Sequence, residues 1–189
     1  MSSTLRGYNR HKSDYYITPK NDIKLFLNRF LEKNKIDLER INILDPCAGG
    51  DKKNEMSYPS ILKVYNPISI KTIDIREDSR AEIIADFLKV EPKQKFDLII
   101  TNPPFGIAQE IIEHSFNFVN NSGYIVILQR LNFLGSKKRF AFWEKNKPYQ
   151  IYVHHKRMSF TENGATDSIE YAHFVWKKGF SGDTTLHLI

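Results

Sequence analysis

Phe96-Asp97-Leu98-Ile99-Ile100-Thr101-Asn102-Pro103-Pro104-Phe105 is the stretch on which the fold turns. Its first six residues form an apolar run that reads as a buried strand of the parallel kind. The run stops abruptly. Two consecutive prolines fix φ and remove two N–H donors, so the strand ends at Asn102. A rim of acceptors is left at the tip: the Asn102 side-chain oxygen and the backbone carbonyls nearby, with the Phe105 ring beside them. Such a rim suits a planar molecule carrying an amino group, whose N–H hydrogens meet the acceptors while its ring stacks on the aromatic. A strand followed by a proline-rich turn is the plainer alternative.

Outward from this stretch, strand and helix patterns alternate, with no linker or internal repeat. Thr18-Pro19 reads as an N-cap with proline at the first helical position, and Ile23, Phe26, Leu27, Phe30 and Leu31 follow with helical period. Ile41 to Leu44 is a short strand, Ser60 to Tyr65 a brief helix, and Ile68 to Ile75 alternates like a strand. Ile107, Ile111, Ile112, Phe116 and Val119 mark a helix, and Tyr124 to Gln129 the next strand. Ser136 caps a basic, aromatic helix that ends before Pro148. Gln150 to His154, Ile169 to Trp176 and Thr185 to Leu188 close the pattern as strands. The expectation is an α/β, doubly wound, mainly parallel sheet of Rossmann type, with helices on both faces. Ligands of such sheets bind at the carboxyl ends of the strands, near the switch point.

The strand ends carry a series of polar groups. Asp45 ends the first strand and opens the turn Pro46-Cys47-Ala48-Gly49-Gly50, whose small residues let a ligand approach the backbone. Asp74 ends the second, where an acid can accept from both hydroxyls of a ribose. Asp86 follows, placed to accept from an adenine amino group with Phe87 beside the ring. Asn102 is the fourth. Each alone is an ordinary turn or cap residue; the four in this order point to a nucleoside-binding cleft.

Composition fits one globular domain over residues 1–189: 41% hydrophobic and 26% charged. No apolar run approaches the roughly 20 residues of a membrane span, and Met-Ser-Ser-Thr lacks a signal-peptide core. The single Cys47 excludes an internal disulfide, fits a reducing cytosol and argues against a thiolate zinc site. A metal role for His154, His155 and His173 is not expected; alternate ones are expected to be buried or paired, and Trp143 and Trp176 read as core. The net charge of +6 is concentrated. Arg6, Arg10, His11 and Lys12 crowd an N-terminal arm, residues 1–14. Lys137, Lys138, Arg139, Lys145 and Lys147 crowd a later segment, followed by Lys156 and Arg157. A solvated helix face is the usual fate of such runs; beside a nucleoside-binding cleft they point instead to a nucleic-acid partner.

These residues together resemble the S-adenosylmethionine-dependent DNA amino-methyltransferases, in particular the adenine-N6 type. The family's Asp-Pro-x-x-Gly turn is similar to Asp45-Pro46-Cys47-Ala48-Gly49, its next two acids to Asp74 and Asp86, and its catalytic Asn-Pro-Pro-aromatic motif to Asn102-Pro103-Pro104-Phe105. Its upstream aromatic-x-Thr-Pro element is similar to Tyr16-Ile17-Thr18-Pro19. Leu131-Asn132-Phe133-Leu134, Lys156-Arg157-Met158-Ser159-Phe160 and Thr166-Asp167-Ser168 resemble a small phage-type subgroup. The resemblance implies S-adenosylmethionine as cofactor, held by Tyr16, Thr18, Pro19, Asp45, Pro46, Cys47, Ala48, Gly49, Asp74, Asp86 and Phe87. It implies catalysis by Asn102 to Phe105 and a nucleic-acid partner, DNA, in a bacterial or phage-infected cytoplasm. Substrate contacts then fall to Phe160, Lys137, Lys138, Arg139 and Arg157, with no metal.

The chain departs from the family pattern in two places. Asp51 stands where the turn often has a further glycine, and there is no separate target-recognition domain. Any sequence readout is left to loops such as Asp51–Pro59 and Asn132–Pro148, or to a partner. Three alternatives stay open: adenine in RNA, a protein glutamine amide, and a non-catalytic protein that binds cofactor or DNA.

Overall fold

The computed structural model describes residues 16–160, 166 and 169–189. The basic arm 1–14, and with it Arg6, Arg10, His11 and Lys12, lies outside the described residues, as do Asp167 and Ser168.

Eight strands form one sheet: β1 (Asn42–Asp45), β2 (Ser69–Asp74), β3 (Ile83–Ile84), β4 (Phe96–Thr101), β5 (Val119–Arg130), β6 (Gln150–Val153), β7 (Tyr171–Lys177) and β8 (Thr185–Leu188). Their order is β3-β2-β1-β4-β5-β7-β6-β8. Every pairing is parallel except the two made by β7. The order reverses between β1 and β4, so the switch point lies between Asp45 and Asn102. Among the described residues, four α-helices flank the sheet: α1 (Lys20–Asn34), α2 (Ser57–Leu62), α3 (Ala108–Ser115) and α4 (Phe140–Lys145).

Successive side chains of a strand point to opposite faces, and the central strands divide accordingly. Leu44, Ile99, Ile125 and Ile127 enter one core with Ile111 and Ile112 of α3. Ile43, Leu98, Ile100 and Val126 enter the other with α1 and α2. Ile23, Phe26, Leu27 and Phe30 of α1 are each fully buried there, at about 1.5–3 kcal/mol apiece. This two-sided burial is why β4 reads as a continuous apolar run.

The second core also holds a polar chain. Tyr58 Oη lies 2.9 Å from His173 Nε2, and His173 Nδ1 lies 2.9 Å from His154 Nε2. His154 Nδ1 is 3.9 Å from the Asp22 carboxylate, and Phe26 stacks on His173 at 4.0 Å. Burial holds both imidazoles neutral: His154 is pushed down to about 4, and His173 well below its ordinary value. The two histidines therefore pair with each other, and no metal-binding cluster occurs among the described residues. His155 is exposed. Trp176 is buried, with Trp143 packed against the same core.

The expected elements are present with shifted edges. Helix α1 begins at Lys20, with Pro19 as its N-cap; the Pro19 carbonyl accepts from Asp22 and Ile23 N–H at 3.2 Å each. Thr18 stands one residue before this cap, and no side chain caps α1. Val119 belongs to β5 rather than to the preceding helix, which ends at Ser115. The basic helix is split: Ser136 Oγ caps a 3₁₀ turn at Lys137–Arg139, and α4 follows. No helix among the described residues is long and apolar enough to cross a membrane.

Candidate active site

A cleft opens over the carboxyl ends of β1, β2 and β4. Its wall includes Tyr16, Thr18, Pro46, Cys47, Ala48 and Gly49, together with Asp74, Asp86, Phe87, Asn102 and Pro104. The switch point thus draws together residues spread over nearly ninety positions of sequence.

The turn after β1 forms the floor. Gly49 and Gly50 adopt φ of 68° and 74°, the left-handed region open to glycine. A Cβ on Gly50 would lie 2.8 Å from Met56, so a side chain there would also displace the start of α2. Asp74 braces this turn: its Oδ2 accepts from Gly49 N–H at 2.7 Å and its Oδ1 from Arg76 N–H at 2.9 Å. A carboxylate has about four acceptor sites, so Oδ2 keeps one for a ligand, while Oδ1 also faces the Arg76 guanidinium. Arg76, also in the wall, is buried, donates to the Gly50 carbonyl and lies 3.6 Å from Asp74.

Asp86 lines the cleft while capping a 3₁₀ turn, accepting from Leu88 N–H at 3.1 Å. Phe87 shares the wall but is anchored against His114 and Phe118 at 4.9 and 4.8 Å. Asp45 does not reach the wall. It is 1% exposed beneath the turn, where Cys47 N–H donates to it at 3.2 Å. Burial raises its carboxyl to about 7, opposed by the Thr101 hydroxyl and the Cys47 N–H and reinforced slightly by the Asp74 charge. Its central place in the sheet accounts for this: Asp74 and Asp86 line the cleft, whereas Asp45, expected to face it with them, does not. Pro19 also stands back from the wall.

Asn102 sits at the lip. Its Nδ2 donates to Thr18 Oγ1 at 3.0 Å. Pro104 lines the cleft and Pro103 is buried behind it. Phe105 turns away toward Tyr171, at 5.9 Å between ring centres, and the Arg130 guanidinium lies 4.8 Å over its ring. Phe160 packs on the same Tyr171 at 4.9 Å and on Tyr16 at 6.4 Å. Phe105 and Phe160 thus belong to one aromatic cluster, which begins three residues from Asn102.

The basic residues differ in freedom. Lys137 and Lys138 are exposed. Arg139 donates through Nε to the Phe133 carbonyl at 2.9 Å and stacks over the Phe133 ring at 4.7 Å. Arg157 is exposed and lies 3.6 Å from Glu170. Phe140, between the two lysine groups, is 62% exposed.

Sequence reasoning missed Ser57, Tyr58, Ile75, Arg76, Ile107 and Ile111 in the wall. Ile75 and Arg76 were within reach, since they directly follow the acid that ends β2. Tyr58 carries no local pattern that marks it.

No family model matches the sequence, and no curated protein matches it. Solved structures do match. A proposed class I S-adenosylmethionine-dependent methyltransferase from Listeria monocytogenes aligns with a TM-score of 0.69 at 15% identity, over 98% of this chain and 69% of that one. A proposed RNA methyltransferase from Pyrococcus horikoshii aligns at 0.65 and 15% identity, over 94% of each chain. The type IIG restriction endonuclease BpuSI aligns at 0.63 and 12% identity, over 91% of this chain and 27% of the endonuclease. The fold is therefore that of the class I methyltransferases, an α/β fold with a large, mostly parallel central sheet.

Proposed function

We propose that this chain transfers the methyl group of S-adenosylmethionine to the N6 amino group of adenine in DNA. One observation carries the reading. The Asn-Pro-Pro stop of β4 and the glycine turn of β1 meet at one cleft, at the switch point of a methyltransferase fold.

The residues fit a nucleoside-bearing cofactor. The Pro46–Gly49 turn offers backbone with little side-chain bulk, Asp74 keeps an acceptor site for a ribose hydroxyl, and Asp86 and Phe87 offer an acceptor and a ring edge. When bound, S-adenosylmethionine supplies an electrophilic sulfonium methyl group. The chain's own part is to prepare the nucleophile. An aromatic amino nitrogen is weak because its lone pair is delocalised into the ring. Acceptors at Asn102 Oδ1 and the Pro103 carbonyl would draw the two N–H bonds out of the ring plane and localise that lone pair. This is positioning plus electrostatics. No strong base is needed, because the methylated ammonium is acidic and sheds a proton readily. A base inside a duplex cannot reach such a cleft, so the target is flipped out or single-stranded. Tyr16, which lines the cleft, and the half-buried Phe160 packed on its edge offer rings for it to lie against.

Adenine in RNA is the second reading, favoured by the near-equal extents of this chain and the Pyrococcus horikoshii protein. The exposed Lys137 and Lys138 suit either polymer better than a protein glutamine amide. Tritium transfer from labelled S-adenosylmethionine to DNA, RNA and total protein, followed by nucleoside mass spectrometry, tests the proposal. The expected product is N6-methyladenine in DNA. Label confined to RNA or to a glutamine side chain would refute it.

A further inference from the structure

We infer that Thr18 is the positioning residue for Asn102, holding its amide so that Oδ1 faces the substrate. The inference rests on the reading of Asn102 as the group that orients a target amino nitrogen. The family resemblance assigns Thr18 to the cofactor; the geometry assigns it to its neighbour in the wall.

Asn102 Nδ2 donates to Thr18 Oγ1 at 3.0 Å, across 84 residues of sequence. Thr18 is 2% exposed, so the bond is sheltered from water on that side. Both residues line the cleft, and no described residue donates to Asn102 Oδ1. The amide therefore has one anchored end and one free end. A side-chain amide is a donor at one end and an acceptor at the other. Rotated by half a turn, it would present N–H groups to an amino group that itself needs acceptors, and the site would lose its function. Fixing Nδ2 on a buried hydroxyl keeps the acceptor outward before any substrate arrives. The cost of ordering the amide is then met in folding rather than in each turnover.

Thr18 suits this task through its place in the fold. It stands two residues before α1, whose Ile23, Phe26, Leu27 and Phe30 are locked into the second core. The neighbouring Pro19, with φ of −60°, stiffens the link. The hydroxyl is thus held by a packed helix on one side of the cleft, and Asn102 by the central strand on the other. Freed from capping α1, Thr18 has its oxygen available for this bond.

The test separates positioning from cofactor binding. Thr18→Val keeps the shape and removes the hydroxyl; Thr18→Ser keeps the hydroxyl. With tritiated S-adenosylmethionine and DNA lacking N6-methyladenine, Thr18→Val is expected to lower kcat on the order of ten- to a hundred-fold. The Kd for S-adenosylmethionine, by calorimetry, stays near wild type, and Thr18→Ser recovers most of the rate. Unchanged kcat in Thr18→Val, or a Kd that weakens in step with kcat, overturns the inference. A second readout needs no turnover. The ¹⁵N side-chain amide of Asn102, assigned by its loss in Asn102→Asp, should exchange slowly with water in wild type and in Thr18→Ser, and fast in Thr18→Val. Equal exchange in all three also overturns it. Wild-type protein that methylates neither DNA, RNA nor protein removes the functional reading itself, an outcome distinct from an active Thr18→Val variant.

Discussion

Asn102 concentrates the proposed chemistry in one oxygen, and its two ends have separate partners. Nδ2 is held by Thr18, and the proposed reading leaves Oδ1 for the substrate, so replacing the side chain should affect turnover far more than cofactor binding. Asn102→Ala is expected to cost about 2.7–4 kcal/mol of transition-state stabilisation, by analogy with removing one oxyanion donor. Asn102→Asp should be milder, since a carboxylate still accepts in the same place. DNA from cells expressing wild type should contain N6-methyladenine by mass spectrometry, and DNA from the alanine variant should not; an active alanine variant would dismiss Asn102. Asp74 has the complementary profile. Its oxygens brace Gly49 and Arg76 as well as facing the cleft. Asp74→Ala should therefore weaken S-adenosylmethionine binding by about 1–3 kcal/mol, the range for losing a hydrogen-bonded charged group. Calorimetry giving the wild-type affinity would take Asp74 out of the site.

At the scale of elements, the segment from Ser136 to Lys147 joins one charge pattern to two structural tasks. Lys137 and Lys138 are exposed, whereas Arg139 is clamped on Phe133. If the segment lies along a phosphate backbone, Lys137→Ala with Lys138→Ala should flatten the slope of log affinity against log salt by about 0.9 per lost phosphate contact on duplex DNA. Arg139→Ala should instead lower the melting temperature. A salt slope that ignores both lysines would return the segment to a solvated surface. This division shows what sequence can carry. The run Lys137-Lys138-Arg139 announces charge, but which cation is clamped depends on Phe133, six residues back. Strand β4 was legible to the residue, because a run buried on both faces has no competing period and two prolines end it. Strand β3 was not legible as a strand, since Ile83 and Ile84 are only two residues and both are exposed. Asp45 and Asp74 were legible as strand-end acids, whereas Asp86 caps the 3₁₀ turn after β3. Asp45's retreat beneath the turn was not legible, because burial at a strand end is set by neighbouring strands. The pairing of His154 with His173 required the antiparallel register of β6 on β7, which no local pattern encodes.

For the molecule as a whole, these buried groups couple stability to pH with opposing signs. His154, lowered to about 4, and His173, lowered further, stay neutral in the folded state through the range in which their unfolded counterparts, near 6.5, take up protons. Each therefore stabilises fully above pH 6.5 and loses its contribution as pH falls toward 4; the lowered His187 acts in the same direction. Asp45, raised to about 7 from 3.8, holds a proton in the folded state that the unfolded chain has released. Its burial penalises the fold increasingly as pH rises from 3.8 to 7, and the raised Asp22 adds to this just above 3.8. Near pH 5 the unfolded chain carries close to two more protons at the buried histidine pair and one fewer at Asp45. The difference there is about one proton, or about 1.4 kcal/mol of stability lost per pH unit of acidification, and the lowered His187 adds to it. Asp45→Asn removes the opposing contribution and should steepen the dependence toward two protons. It should also raise stability near pH 7, where the buried carboxylate is partly charged. Urea unfolding at half-unit steps from pH 5 to 7 measures both slopes. Parallel slopes for wild type and Asp45→Asn would mean that Asp45 is not held protonated by the fold, and a flat profile in both would mean that the Tyr58–His173–His154 chain is not neutral.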